Sequence, residues 1–135
     1  MRVADPGNVG TIVRTADALG PACVGVSAGC ADPLGPKALR ASAGAVFRVP
    51  LVRFEEAGGR RIALVARGGR PLTEIDLGGD VTFVLGAERA GVPGEVIATC
   101  DEVVTIPLAP GAESLNVAVA AALALYERFR VATQT

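Results

Sequence analysis

The segment from Val103 to Glu127 constrains the fold more than any other part of the sequence, because it joins a short strand pattern to a long apolar helix pattern. The β-branched run Val103–Leu108 predicts a strand. Ser114 precedes a helical run at Val117–Glu127 and is a candidate N-cap residue. Residues 117–125 include no polar side chain. Since a helix that is apolar on every face is buried on every face, this helix is predicted to lie under a sheet or against another subunit.

Length and hydropathy favour one globular domain. The 135 residues are enough for a single domain with a sizeable core. Half of the residues are apolar, yet no run of about eighteen of them predicts a membrane span. We see no charged-then-apolar leader, so the sequence predicts a cytoplasmic protein that does not act at a membrane.

The absence of histidine limits the chemistry that the chain can perform. It excludes a serine–histidine hydrolase and any histidine-ligated metal, and we expect no metal cofactor. Cys23, Cys30 and Cys100 are odd in number and form no CxxC pair, so they are interpreted as reduced thiols that serve packing. Catalysis must therefore use arginine, glutamate, serine, asparagine, cysteine, backbone groups or a cofactor.

Charge is distributed unevenly along the chain. Residues 1–70 carry ten Lys or Arg and five carboxylates, whereas the remainder carries three basic residues and nine carboxylates. A basic half indicates a polyanionic partner, although scattered surface arginines would give the same count. The net charge of −1 argues against a nucleic-acid binder that acts without further basic surface.

Apolar strand patterns alternate with helix patterns through the rest of the chain. This alternation predicts an α/β fold with a mostly parallel sheet and helices on both faces. Helices are predicted at Val9–Leu19, Pro36–Ala41, Pro93–Thr99 and Val117–Glu127, and strands at Ala22–Val26, Val46–Val49, Ile62–Ala66, Val81–Leu85 and Val103–Leu108, after an extended Met1–Ala4.

Three loops with unusual residues follow or flank these elements, at Asp5–Gly10, Gly86–Gly91 and Leu108–Asn116. Parallel sheets bind ligands beyond the carboxyl ends of their strands, so these loops are candidates for a binding site. The sequence has neither a GxGxxG nor a GxxxxGK[ST] motif, which removes the main support for dinucleotide and P-loop interpretations. The pattern alone therefore predicts a small α/β ligand-binding domain.

The same loops together resemble the motifs of the SpoU (TrmH) family of RNA 2′-O-ribose methyltransferases. The likeness covers nearly the whole chain and keeps the family's order. The matching segments are 5–10 with 14–16 for the first motif, 83–91 for the second, 106–108 with 114–118 for the third, and 42–45 for an intermediate segment.

The resemblance implies a SPOUT α/β fold with a deep C-terminal trefoil knot, normally a homodimer, that uses S-adenosyl-L-methionine to methylate tRNA or rRNA. The cofactor-binding residues implied by the motifs are Leu85, Gly86, Ile106, Leu108 and Leu115. The implied catalytic residues are Arg14, Glu88, Ser114 and Asn116, and the implied substrate-binding residues are Asn8 and Arg14.

The chain also departs from the family's pattern. Only four residues precede the Asp5–Asn8 turn, so residues 1–135 are interpreted as a catalytic domain with a truncated first strand and no separate RNA-binding domain. The segment Leu51–Arg60 is short for a helical crossover between parallel strands. We therefore expect an intact cofactor site, with weaker RNA binding and stability.

Two other functional classes stay open at this stage. The chain is alternatively a non-catalytic scaffold subunit that binds the donor or RNA, or a methyltransferase for a small molecule or a protein. Arg14, Glu88 and Asn116 argue against the first alternative, and the basic N-terminal half argues against the second. An arginine is always protonated, so Arg14 is expected to hold a phosphate and stabilise an alkoxide, while phosphate, water or Glu88 accepts the proton.

Overall fold

The computed structural model describes residues 1–87 and 90–134. Its helices are α1 (Pro6–Ala18), α2 (Pro36–Ser42), α3 (Gly94–Ile97) and α4 (Val117–Thr133). Its strands are β1 (Val24–Val26), β2 (Leu51–Arg53), β3 (Arg60–Leu64), β4 (Arg70–Pro71), β5 (Val81–Val84) and β6 (Glu102–Thr105). Short 3₁₀ turns occupy Ala45–Phe47, Phe54–Glu56 and Leu72–Glu74.

Every pair of named strands is parallel, as the alternating pattern predicts. The strand order is β4–β6–β3–β5 in one sheet and β1–β2 in the other. Ile62 of β3 is in register with Phe83 of β5 on one side and with Glu102 of β6 on the other. Since all strands run in one direction, their carboxyl ends meet at one edge of the sheet, and the predicted mostly parallel α/β fold is confirmed.

The extended segment Met1–Ala4 connects the two sheets. The amide of Ser27 donates to the Met1 carbonyl at 3.1 Å, and the amide of Arg2 donates to the Leu85 carbonyl at 3.2 Å. Val3, the next residue along this segment, is fully buried. The segment therefore lies between β1 and β5 and extends the sheet into one continuous layer.

The last strand is inserted between strands that come before it in sequence, because β6 lies between β3 and β4. The loop after β3 crosses β6 closely: a Cβ atom on Gly69 would lie 2.5 Å from the backbone carbon of Val104. The Gly69 amide also donates to Thr105 Oγ1 at 2.9 Å. This insertion is compatible with the C-terminal knot that the resemblance implies. The knot itself stays a prediction.

The strand predicted at Val46–Val49 is wrong. Ala45–Phe47 forms a 3₁₀ turn instead, and the strand that pairs with β1 begins later, at Leu51. The physical reason is the backbone of Ala43 and Gly44, whose φ angles of 53° and 85° are both left-handed. These residues end α2 and turn the chain tightly before it becomes extended.

The C-terminal helix is longer than predicted and is buried on one face only. It continues from Glu127 to Thr133, and its buried face consists of the small side chains Ala118, Ala121 and Ala124. The opposite face carries an apolar stripe of Val119, Leu123 and Tyr126, which are 48%, 43% and 55% exposed. A single chain therefore does not bury this helix on every face. In the described ranges no helix has the length and hydropathy to cross a bilayer.

Candidate active site

The first site element is the beginning of α1. Asp5 Oδ1 accepts hydrogen bonds from the amides of Gly7 at 2.7 Å and Asn8 at 3.3 Å, which is N-cap geometry. Pro6 suits the first helical position, where no amide donor is needed. The helix therefore begins at Pro6 and not at Val9 as predicted. As a result Asn8 lies in its first turn.

The second site element is the beginning of α4, where the cap is Asn116. Its Oδ1 accepts from the amides of Ala118 at 2.8 Å and Val119 at 3.3 Å. Ser114 is therefore not the N-cap, and that prediction is wrong. Asn116 is the residue directly before the helix, with extended backbone, so its side chain reaches the free amides. Ser114 lies two residues earlier, is exposed, and borders a pocket.

A hydrogen bond between side chains joins the two helix starts. Asn116 Nδ2 donates to Asn8 Oδ1 at 3.3 Å, across 108 residues of sequence. The two N-termini carry the partial positive charge of their helix dipoles and face the same region. Such ends favour anionic groups, phosphate among them. The first and third sequence motifs therefore meet in space.

A pocket of about 110 Å³ lies at the carboxyl ends of the strands, where two of the three predicted loops, Gly86–Gly91 and Leu108–Asn116, meet. Ser114 is the polar side chain among its described lining residues; the others are apolar or glycine. All five residues predicted to bind a cofactor line it: Leu85, Gly86, Ile106, Leu108 and Leu115. The remaining lining residues are Leu64, Val65, Ala66, Ala87, Gly91, Val117 and Ala120.

Gly86 is required by the backbone that packs against it. A Cβ atom there would lie 2.0 Å from the carbonyl carbon of Gly91, so the loop leaves no room for a side chain. The loop folds back because the Gly91 amide donates to the Ala87 carbonyl at 2.9 Å, with Gly91 at a φ of +68°. The pocket wall at Gly86 is consequently bare backbone.

Arg14 is separated from this cluster along α1. It is exposed and follows Asn8 by six residues, which is about 9 Å of helix rise. Arg14 forms no salt bridge with any residue in ranges 1–87 and 90–134. Asp17, which lies on α1 with Arg14, pairs instead with Arg48. The structure therefore brings Asn8 and Asn116 together and places Ser114 at the pocket, but it leaves Arg14 exposed.

Glu88 lies outside the described residues, so its predicted catalytic role is not tested by the geometry. Sequence reasoning missed Val65 and Ala66 as pocket residues. They follow β3 at the same edge as the three loops, so the parallel topology was the signal that could have found them. In the described chain, no group of histidine, cysteine, aspartate or glutamate side chains has the arrangement of a metal site.

A larger cleft of about 500 Å³ lies elsewhere, between β1 and β5 and beneath α1 and α4. It borders the residues at the start of β5, including Asp80 and Val81, and hence the amino side of the sheet. Leu85, one of the five residues predicted to bind the cofactor, lines this cleft as well. The smaller pocket therefore remains the candidate active site because residues of the second and third motifs line it.

Comparison with known proteins supports the same motifs. Residues 1–126 match the model of the SpoU rRNA Methylase family. The chain is 38% identical over 133 residues to the 23S rRNA (guanosine(2553)-2'-O)-methyltransferase RlmP of Bacillus subtilis (strain 168), covering 92% of this chain and 54% of that protein. It is 38% identical over 135 residues to an uncharacterized tRNA/rRNA methyltransferase of Mycobacterium tuberculosis (strain ATCC 25177 / H37Ra), covering 93% and 42%.

Similarity extends to solved structures. The SpoU methyltransferase AviRb from Streptomyces viridochromogenes, in complex with the cofactor AdoMet, superposes with a TM-score of 0.91 at 32% identity, over 99% of this chain and 59% of that one. The chain thus spans about half the length of the curated relatives it matches. The likeness includes every element that carries the candidate site.

Proposed function

The chain belongs to the SpoU rRNA Methylase family, and we propose that it transfers a methyl group from S-adenosyl-L-methionine to a ribose 2′-hydroxyl of ribosomal or transfer RNA. One observation carries this proposal. The five residues that the motifs assign to the cofactor line a single pocket, and the Asn116–Asn8 pair flanks it. Names of the relatives, which refer to 23S rRNA and to tRNA/rRNA, support the substrate class.

The pocket suits the donor chemically. Leu85, Ile106, Leu108 and Leu115 provide apolar surface for an adenine ring, and the bare backbone at Gly86 permits close approach. Its volume of about 110 Å³ is below the range of about 300–1,000 Å³ usual for ligand sites. The pocket therefore encloses only part of the donor.

The ribose would be oriented by the polar groups beside the pocket. The bound donor supplies a sulfonium methyl group that is transferred in line to the 2′-oxygen. Asn116 Nδ2 has two hydrogens and gives one to Asn8, so the second is free to bind a ribose or phosphate oxygen. The Ser114 hydroxyl orients the 2′-hydroxyl. The proton that the 2′-hydroxyl loses passes to a phosphate, to water or to Glu88.

Arg14 binds and stabilises charge in this proposal and is not the base. A guanidinium stays protonated at any physiological pH, so it holds a substrate phosphate and the developing alkoxide. About 9 Å of helix separates Arg14 from Asn8 in one chain. We infer that Arg14 acts at the pocket of a partner subunit.

A homodimer provides that partner. The apolar stripe of Val119, Leu123 and Tyr126 is exposed at 48%, 43% and 55%. Leaving three such side chains in water on one helix is unfavourable, and a second copy of α4 together with α1 would cover them. The interface would thus bury the stripe and complete the active site at once.

RNA affinity is proposed to come partly from outside residues 1–135. Phosphate neutralisation dominates binding to nucleic acids, and this chain has a net charge of −1. Aromatic residues for base stacking are few, with one tyrosine and four phenylalanines. Residues 1–135 therefore suffice to bind the donor, but tight RNA binding needs additional basic surface. We expect the protein to act in the cytoplasm.

The direct test of the reaction uses labelled donor and RNA from cells that lack the gene. Incubation with the purified protein should label one RNA species, and mapping should locate a 2′-O-methyl group. Asn116→Ala protein, whose cap and pair with Asn8 are lost, serves as the matched control and should label it far more weakly. Methyl incorporation into a base, into protein, or into no RNA with a folded donor-bound enzyme would refute the proposed reaction.

A further inference from the structure

Phe47 is the most exposed large apolar side chain in the described ranges, with 82% of its surface accessible to solvent. It ends the 3₁₀ turn Ala45–Phe47, which follows α2. The other three phenylalanines of the chain are partly buried. Neither the pocket at Gly86 nor the apolar stripe on α4 includes Phe47. Its exposure therefore calls for a separate explanation.

The backbone that carries Phe47 is held in place on both sides. Ala45 and Val46, directly before it, are buried. Arg48, directly after it, pairs with Asp17 of α1 at 2.7 Å and ties the turn to that helix. The ring is thus presented to solvent from a fixed base. Such preorganisation lowers the ordering cost of binding a partner.

Phe47 lies on the side of α1 from which Arg14 emerges. Gly10, Arg14 and Asp17 are spaced by four and three residues, so they form one stripe along the helix. Gly10 packs against α2, where a Cβ atom on it would lie 2.4 Å from a backbone oxygen of that helix. Asp17 bonds to Arg48, the neighbour of Phe47. Exposed Arg14 therefore lies between α2 and the Phe47 turn, about 4.5 Å of helix rise from Asp17.

This surface is not a continuation of the apolar stripe on α4. Asn8 bonds to Asn116 at the start of α4, whereas Gly10 packs against α2. With 3.6 residues per turn, side chains two residues apart point about 200° apart around a helix. At this end of α1, α2 and α4 therefore lie on opposite sides. A second copy seated on the α4 stripe does not by itself explain the exposure of Phe47.

The surroundings of Phe47 are basic. Residues 36–54 include four basic side chains and no acidic one. Lys37 lies against the first turn of α1, because its Cε would be 3.7 Å from a Cβ atom on Gly7. From Gly7 to the Asp17 contact is about 15 Å of helix. The cations and the ring therefore extend along most of α1.

Lys37 and Arg14 are the cations that an anionic partner would meet beside Phe47. Both are exposed, and neither forms a salt bridge with any residue in ranges 1–87 and 90–134. We call Lys37, Arg14 and Phe47 the Phe47 surface. An exposed ring among cations is complementary to an unpaired nucleotide, whose base stacks on the ring while its phosphates meet the cations.

We propose that Phe47 stacks on an unpaired base of the RNA substrate, while Lys37 and Arg14 bind the phosphates beside it. This inference rests on the proposed function, because it identifies where the RNA of that reaction is held. Arg14 serves the reacting nucleotide at the partner's pocket, so the base on Phe47 belongs to a neighbouring nucleotide. Since every base has a π-face, the Phe47 surface selects single-stranded RNA over a duplex without selecting one base.

The test measures binding of a short single-stranded RNA, made of uridines around one central 2-aminopurine, at low salt and without donor. The fluorescence of 2-aminopurine falls when the base stacks, while the anisotropy of a terminal dye reports total binding. Phe47→Leu keeps an apolar side chain but removes the ring, and Phe47→Tyr keeps the ring. Lys37→Gln removes one cation. Leu34→Ser, at an apolar residue that is 58% exposed on the loop before α2, is the matched control.

The original chain and Leu34→Ser should quench the 2-aminopurine fluorescence equally. Phe47→Leu should abolish the quenching and weaken binding by about tenfold at every salt concentration, whereas Phe47→Tyr should retain both. Lys37→Gln should retain the quenching but reduce the slope of log affinity against log salt by about 0.7. The ring and the cation thus have distinct signatures.

No quenching by the folded original chain, or equal quenching by Phe47→Leu, would overturn the proposal. Light scattering of Phe47→Ser should give the mass of the original chain. A lower mass would assign the ring to an interface between copies and would overturn the proposal too. A chain that quenches the probe but transfers no methyl group would contradict the proposed reaction alone. A chain that transfers methyl groups without quenching would contradict this inference alone.

Discussion

A hydrogen bond between the side chains of Asn116 and Asn8 links the third motif to the first, with Nδ2 of Asn116 3.3 Å from Oδ1 of Asn8. The same Asn116 side chain uses its oxygen to cap α4 at 2.8 Å from the Ala118 amide. One side chain thus caps the helix through its acceptor and, in the proposed function, serves the active site through its donor. These two roles are separable by substitution.

Asn116→Asp should keep the fold and lose catalysis. Aspartate keeps the acceptor and is favoured at a helix N-terminus, whereas Asn116→Ala removes the cap and should cost about 1 kcal/mol of unfolding free energy. Both lose the donor to Asn8, so methyl transfer should fall by about tenfold or more in each. Asn8→Ala, which leaves the α4 cap intact, is the matched control and should reproduce the catalytic loss. Thermal unfolding and transfer rates measure the two effects; normal transfer by Asn116→Asp would show that the pair is only structural.

Arg14→Ala should reduce methyl transfer strongly while donor binding stays unchanged. Arg14 is exposed and does not line the pocket of its own chain, so we expect it to contribute little to holding the donor. Mixing Arg14→Ala with Asn116→Ala protein should restore part of the activity, because one of the two sites in a mixed dimer then has both residues. Arg40→Ala, an exposed arginine on α2, controls for the loss of one positive charge. The absence of any recovery in verified mixed dimers would contradict action across the interface.

Leu123→Glu should weaken the dimer. Burial of a leucine side chain contributes about 1.5–3 kcal/mol, and a charge in its place has to be desolvated. Light scattering at micromolar concentration should give twice the chain mass for the original protein and a value near the chain mass for the variant. Leu34→Glu changes an equally apolar side chain, 58% exposed, on the loop before α2 and should leave the mass unchanged. A monomeric original protein would refute the predicted dimer.

The ion pair between Arg48 and Asp17 predicts a pH effect on stability. The hydrogen bond from Arg48, at 2.7 Å, lowers the pKa of Asp17. A lowered carboxyl pKa stabilises the folded state above the unfolded pKa of about 3.9, and this contribution disappears as the pH falls through the folded pKa. Arg48→Leu should therefore raise the pKa of Asp17 in an NMR titration and lower stability at pH 7 but not at strongly acidic pH. Arg53→Leu, which breaks the pair with Glu56, should leave Asp17 unchanged.

Much of the fold follows from periodicity and turn residues, and the errors have local causes. The buried strands at β1, β3 and β5 are short aliphatic runs that the pattern identifies within a few residues. Val46–Val49 has the same composition, yet the left-handed backbone at Ala43 and Gly44 makes it a tight turn. Composition alone does not reveal such a backbone, since alanine seldom adopts a positive φ.

The cofactor-binding part of the candidate site was predictable because each motif is a short, recognisable segment of the sequence. Gly86, Ile106 and Leu115 line one pocket as the motifs imply. The choice of cap was not predictable, because Ser114 and Asn116 are both good N-cap residues and only the start of the helix distinguishes them.

The central claim, that the pocket at Gly86 binds S-adenosyl-L-methionine, is tested most directly by calorimetry with the donor and with its demethylated product. The original chain should show one saturable site for each ligand. Gly86→Ala should abolish that binding, because its Cβ would lie 2.0 Å from the Gly91 backbone, whereas Gly94→Ala, where nothing lies within 4 Å, should bind normally. A circular dichroism spectrum and a melting curve establish that each variant is folded. No heat from either ligand with the folded original chain, or normal binding by Gly86→Ala, would contradict the account.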